Sequence, residues 1–264
     1  MPKVREIRDY LEMRVPSSLK MDYDNVGLLV GEPDCDVIRA LVSLDITPRV
    51  IDEAAEHGAQ LIISHHPVIF NPLKRVIASD SEGKKIISLI QKRISAICLH
   101  TNLDAVSGGV NDALMAAIGA KADGILDEMG KDEFGNALGI GRTGALDEPK
   151  EFTEFLKACK AALNTKGLRY HNAGRKVSRV AVCGGSGGAS IQQAFDKGCD
   201  TYVTSDIKYD QFLTAAELGI NLIDGDHFCT ENVAVPVLRD MLLEGFPELD
   251  VMISSVHGQT AEFY

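Results

Sequence analysis

The chain has no excess of positive charge, no CxxC pair, no long apolar run, no low-complexity tract and no internal repeat. Each absence closes a class of function. With 27 basic against 38 acidic residues the formal charge is −11, and no run of Lys or Arg exceeds a pair such as Lys84-Lys85. Nucleic-acid binders neutralise phosphates with a basic field, so that role is disfavoured, a small basic pocket aside. No stretch approaches the ~18 consecutive apolar residues of a spanning helix, so no membrane partner is expected. Met1-Pro2-Lys3-Val4-Arg5-Glu6 leads into a charged amphipathic pattern, which argues against a secretory signal. Without a short repeat period a solenoid is excluded. The cysteines (Cys35, Cys98, Cys159, Cys183, Cys199, Cys229) are scattered, and Cys98 and Cys183 sit inside apolar strand-like runs. They read as buried reduced thiols, and a cytoplasmic location is expected.

What is present is the composition of an ordinary globular protein, 45% apolar and 25% charged over 264 residues. That length can bury one large core or two domains of about 130 residues each. Short β-branched runs alternate with helical periodicity, which predicts an α/β fold with largely parallel sheets. Arg39 to Asp45 reads as a strand, and Thr47-Pro48 as an N-cap with proline in the first turn of a helix reaching Gly58. Leu61-Ile62-Ile63 and Ala96 to Leu99 are further strands, with a helix around Ile86 to Ile90 between them. Glycines at 124, 130, 135, 139 and 141, with acidic residues between, read as a break. A domain boundary is placed there: residues 1–124 form an N-terminal α/β domain and residues 125–264 a second one, whose C-terminal segment has the option of packing back on the first. The second half repeats the grammar. Phe152 to Leu163 is a helical stripe, Val177 to Cys183, Thr201 to Thr204 and Ile220 to Ile223 are strands, Asn232 to Leu243 is a helix and Val251 to Ser254 a last strand.

Three polar clusters each begin where such a strand ends, the edge at which open α/β sheets bind ligands. Ser64-His65-His66-Pro67 places two imidazoles that project in different directions, toward two metal ions or toward one metal and a substrate. Alone, a His-His pair is more often a surface or core feature. His100-Thr101-Asn102-Leu103-Asp104 puts a carboxylate where it could bridge cations, although a local cap is the commoner use. In Asp226-His227-Phe228-Cys229-Thr230-Glu231, a helix starting here would put His227 and Glu231 on one face, a two-ligand clip; the plainer reading is an acid near the positive end of the helix dipole. Together His65, His66, Asp104, His227 and Glu231 make a mixed imidazole and carboxylate set, which suits Zn, Mn, Fe, Co or Ni rather than Ca. Five ligands on one ion leave little room for water, whereas five shared by two ions with a bridging carboxylate leave open positions. The glycines of Cys183-Gly184-Gly185-Ser186-Gly187-Gly188 could offer amides to an anion or simply make a tight turn. Cys183 has no assigned base and reads as packed.

These clusters resemble the GTP cyclohydrolase I type 2 homologues, also called Nif-three-like proteins. The resemblance runs through Asp24-Asn25-Val26-Gly27-Leu28, Ser43-Leu44-Asp45-Ile46-Thr47-Pro48, Ile63-Ser64-His65-His66-Pro67, His100-Thr101-Asn102-Leu103-Asp104, Gly184-Gly185-Ser186-Gly187, Ser205-Asp206-Ile207-Lys208, and His227 with Thr230-Glu231. It implies two α/β domains with a dinuclear metal site in the cleft between them, ligated by His65, His66, Asp104, His227 and Glu231, with Glu231 bridging. It also implies a toroidal homohexamer. His100 is not a usual ligand in that family and is given a supporting or substrate-facing role. Two departures stand out: Tyr23 where relatives often have tryptophan, and Asp226 where they usually have glycine. The stretch between Asp104 and His227 is too short for the extra middle domain of some relatives.

The expectation is a metal-dependent hydrolase (cyclohydrolase, amidohydrolase or phosphoesterase in type) acting on a small molecule with two divalent ions. Asp45, His100 and Asp206 are the candidates for moving the proton, with no choice among them. The alternative is a non-catalytic metal-binding chaperone or regulatory interaction protein.

Overall fold

The computed structural model describes residues 1–131, 135 and 137–264. In chain order the first elements are α1 (Val4–Arg14), β1 (Gly27–Val30), β2 (Arg39–Ser43), α2 (Pro48–Glu56), β3 (Leu61–Ser64), α3 (Ser81–Lys92), β4 (Ser95–Cys98) and α4 (Thr101–Ala105). There follow α5 (Val110–Ala117), β5 (Ala120–Lys131), β6 (Ala137–Lys150), α6 (Phe152–Ala162), β7 (Arg169–His171), β8 (Val177–Ser186) and α7 (Ile191–Asp196). The last are β9 (Thr201–Ser205), α8 (Tyr209–Leu218), β10 (Asn221–Asp224), α9 (His227–Glu231), α10 (Ala234–Gly245) and β11 (Asp250–Ile253). The chain divides into two compact units, Met1–Leu103 with Ala234–Gly258, and Asp104–Val233 with Gln259–Tyr264.

The first unit carries a five-stranded sheet in the order β1-β4-β3-β2-β11. Its strands from β4 to β11 are parallel, and β1 closes one edge antiparallel. The register aligns Ser43 with Ser64 and Ser64 with Cys98, so the chain leaves β2, β3 and β4 at one edge of the sheet. α2 begins as its sequence dictates: Thr47 Oγ1 accepts a hydrogen bond from Val50 N, with Pro48 in the first turn. Val50, Ile51 and Ala54 on its inner face join Leu41, Ile62, Ile86 and Leu89 in one buried cluster.

The second unit carries a six-stranded mixed sheet, β5-β6-β8-β9-β10-β7, parallel only through β8, β9 and β10. Its central strands are covered on both faces. Val180, Val182, Val203 and Ile223 pack with Phe155 and Cys159 on one side, while Ala181, Cys183, Tyr202 and Leu222 pack with Ile191 and Ala215 on the other. The α/β class is therefore as the sequence implies, and both sheets are mixed. The glycine-rich stretch that reads as a break is instead strand at Ala120–Lys131 and Ala137–Gly141, while positions 132–134 and 136 lie outside the described residues. The β5–β6 register shifts at Ala122/Gly124 and at Glu128/Gly130, so Gly124 and Gly130 mark bulges rather than an interruption. Among the described residues no helix is long and apolar enough to cross a membrane. All six cysteines are free thiols, Cys98 and Cys183 among the buried ones.

Candidate metal centre

Parallel strand ends set out the side chains of the first unit. Ser43 and Ser64, neighbours in register, each turn a hydroxyl onto the carbonyl two residues ahead, Asp45 O at 2.9 Å and His66 O at 2.7 Å. That shared turn brings Asp45 beside His66, whose Nδ1 meets Asp45 Oδ1 at 2.8 Å. His65 is fully buried, with Nδ1 on the Leu99 carbonyl at 2.9 Å. His100 sets its Nδ1 on Asp24 Oδ1 at 2.7 Å. Asp24 Oδ2 in turn accepts from the amide and the hydroxyl of Thr101. Burial alone would raise the Asp24 carboxyl; the bonds from His100 and Thr101 outweigh it and hold the group well below the usual carboxylate range. Each of these acceptors wants a donated proton, so each neutral imidazole carries its hydrogen on Nδ1 and its lone pair on Nε2. Metal-ligating histidines are held in this way, by a carboxylate or carbonyl behind the ring. One ligand nitrogen from each of His65, His66 and His100 lies within 4.8 Å of the others, a cluster able to hold a metal ion.

The second unit repeats the device. Asp226 Oδ1 accepts from Cys229 N at 3.2 Å and caps α9, and the helix so started puts His227 and Glu231 on one face. His227 Nε2 lies 3.0 Å from Glu231 Oε2, while its Nδ1 meets Asp206 Oδ2 at 2.7 Å. Burial lowers the His227 pKa, but hydrogen bonds and charge from Glu231 and then Asp206 outweigh it and raise it to about 9. Asp104 is buried on α4, and its main-chain carbonyl accepts from Asn111 Nδ2 at 3.0 Å. Cys183 is buried, and its pKa is pushed up to about 12 by burial, then by the charge of Asp104 and other carboxylates, which fits packing rather than nucleophilic attack. Gly184 and Gly185 belong to the end of β8 rather than to a loop: Gly184 N donates to Asn111 Oδ1 at 2.9 Å and Gly185 N to Thr230 Oγ1 at 3.1 Å, so neither amide is aimed at an anion.

A family model described as Duf34/NIF3 (NGG1p interacting factor 3) matches residues 2–260. The chain belongs to that family. It is 35% identical over 241 residues to the GTP cyclohydrolase 1 type 2 homolog of Clostridium acetobutylicum, which covers 91% of this chain and 89% of that one. In fold it is similar to a Bacillus cereus protein related to NIF3, at TM-score 0.94, 26% identity and full coverage of both chains. A hypothetical protein of Staphylococcus aureus matches at TM-score 0.93 and 31% identity over 99% of each chain.

The departure of this NIF3-family chain at Asp226 now has a physical meaning. Asp226 holds φ 75°, ψ 136°, a conformation that glycine reaches freely and an L side chain rarely adopts. The carboxylate does not orient the imidazole, a task that falls to Asp206. It caps the helix instead. Asp226→Ala loses the cap and keeps the strain, whereas Asp226→Gly loses the cap and releases the strain, so the glycine variant is expected to be the more stable by about 1–2 kcal/mol. Urea unfolding of the two variants followed by circular dichroism checks this, and equal stabilities would contradict it. Sequence reasoning did not assign Asp24 to the site: it lies in the Asp24-Asn25-Val26-Gly27-Leu28 stretch, 76 positions from its partner His100, and only the fold joins them.

Proposed function

We propose that the protein is a metal-dependent hydrolase of a small molecule, in which His65, His66, Asp104, His227 and Glu231 would hold two divalent ions of the Zn, Mn, Fe, Co or Ni type, Glu231 being the carboxylate both would share. The observation that carries this reading is the common setting of His65, His66 and His227, each with Nδ1 on an oxygen acceptor, as ligand imidazoles are held. The donors are imidazole and carboxylate without thiolate, which fits those ions. A pair of such ions, when bound, lowers the pKa of water toward ~7 and supplies Lewis acidity. The chain's own part is to orient and to hold protons. Asp45 and Asp206 keep the His66 and His227 hydrogens on Nδ1. His100, backed by Asp24, or either of those two aspartates is placed to take up a proton released in hydrolysis.

The name of the clostridial relative makes GTP the first substrate to try, followed by phosphoesters and cyclic amides. Protein loaded with Mn or Zn is expected to turn over at least one of these. Glu231→Gln should lower that rate by about 100-fold or more, and Cys183→Ala should leave it close to wild type. Fully metallated protein that turns over none of the panel would favour a metal-binding interaction protein instead, as the family description would have it.

A further inference from the structure

A cavity of about 770 Å³ opens into the first unit between β1, α3 and the residues that join β3 to α3. Leu29, Leu73, Val76, Ile86, Leu89 and Ile90 supply its apolar wall, and none of the five proposed metal ligands takes part in it. Small-molecule sites fill about 300–1,000 Å³ and set a few polar groups in such a lining. Here the polar groups gather at the end of the cavity away from the histidines: His100 lies just past the last residue of β4, Cys98, whereas the cavity reaches the first, Ser95. Two of the apolar residues stay open to solvent at the rim, Val76 at 44% and Ile90 at 60%, so the cavity has an apolar mouth.

The polar end is built for an acid. Ile86, Leu89, Ile90 and Arg93 recur at helical spacing, so one face of α3 forms the wall and ends in a cation. Arg93 sits at φ 57°, ψ 40°, a cap conformation that glycine adopts freely and an arginine does not. Its neighbour Lys92 is engaged by Asp52 at 3.0 Å and Asp34 by Arg5, whereas the Arg93 guanidinium has no such partner among the described residues. Ser95, 2% exposed, accepts from Glu32 N at 3.3 Å, which leaves the hydroxyl hydrogen to be given. Residues 70–93 carry six basic side chains against two acidic, the reverse of the balance over the whole chain. Glu32 is the one charge on the wall set against an anion. We propose that this cavity binds a single-chain aliphatic carboxylate, its hydrocarbon lying along α3 and its carboxylate held by Arg93 and Ser95. A guanidinium and a hydroxyl suit that head group, and the site is independent of the metal-dependent activity proposed above.

The test is calorimetric titration of the full-length protein with dodecanoate, decanoate, octanoate and dodecanol. Dodecanoate is expected to bind one per chain with a Kd on the order of 10 μM. Each methylene added from octanoate upward should tighten binding about fourfold. Arg93→Gln should weaken dodecanoate about tenfold, and Glu32→Gln should tighten it severalfold by removing a like charge. Ile90→Glu, at an exposed position where folding is not at risk, should abolish binding. Cys35 lines the cavity and is the one thiol not buried, so bound dodecanoate should also slow its alkylation by iodoacetamide. Stripping the protein with a chelator should change none of this, which separates the result from the fate of the metal reading. No binding of dodecanoate, equal affinity for octanoate and dodecanoate, or equal affinity for dodecanol would each overturn the proposal. So would a protein that ignores free dodecanoate but adheres to anionic vesicles, or one whose oligomeric mass falls with Ile90→Glu, since the occupant would then be a membrane surface or a second copy.

Discussion

Gly185→Ala is expected to weaken metal binding by about 100-fold while the protein stays folded, although no proposed ligand is removed. Gly185 is buried near the end of β8 with φ +64°, and a methyl group there would overlap Glu231 Oε1 and lie 2.9 Å from Glu231 Cδ. The backbone has no room to retreat. Gly185 N donates to Thr230 Oγ1 on one side, and Gly185 O accepts from Thr204 Oγ1 at 3.2 Å and from Ser205 Oγ on the other. Relief must therefore come from the Glu231 carboxylate, which would leave its place 3.0 Å from His227 Nε2. Alanine at a positive φ adds about 1 kcal/mol of destabilisation, small beside the effect on the site. Metal analysis of purified variant and wild type, with far-ultraviolet circular dichroism as the control for folding, reads the result. Full metal content and unchanged affinity in a folded variant would remove Glu231 from the ligand set.

The sequence exposed the strand-end clusters because their logic is local. An apolar run that stops at Ser64 leaves His65 and His66 at a sheet edge whatever the rest of the chain does, and Thr47-Pro48 starts its helix from adjacent atoms alone. The clip at His227 and Glu231 is likewise fixed by helical spacing once Asp226 caps the turn. What stayed hidden depends on distance or on what touches the backbone. Asp24 behind His100 and Asp206 behind His227 join residues 76 and 21 positions apart, and no spacing rule pairs them. The glycines of β5 and β6 read as breakers because composition cannot tell a loop from a bulged strand. A side chain at Gly139 or Gly144 would strike the Asp127 or Lys121 carbonyl of the neighbouring strand, so those glycines permit close pairing. β7, three residues long at a sheet edge, is too short for a periodicity to register.

A second large effect is expected at Glu53, a residue on the buried face of α2 whose charge alone would place it in solvent. It is 5% exposed, and its two oxygens accept from the Ser254 hydroxyl, the Ser255 hydroxyl and the Ser255 amide at 2.8 Å. Ser254 Oγ in turn accepts from His257 N at 3.1 Å, so one carboxylate organises the chain as it leaves β11 beside β2. Glu53→Ala takes the acceptor from three donors and is expected to cost about 3 kcal/mol. The dependence on pH gives the sharper test. Burial would raise the Glu53 pKa, but the bonds from Ser254 and Ser255 outweigh it and hold it below its ordinary 4.5. A carboxyl whose folded pKa is depressed stabilises the fold above its unfolded value and loses that contribution as pH falls through the folded one. The stability gap between wild type and Glu53→Gln, measured by urea unfolding, should therefore be full at neutral pH and narrow below pH 4.5. A gap that widened on acidification would mean that the fold favours the protonated acid, and the network around Ser254 and Ser255 would have to be drawn the other way round.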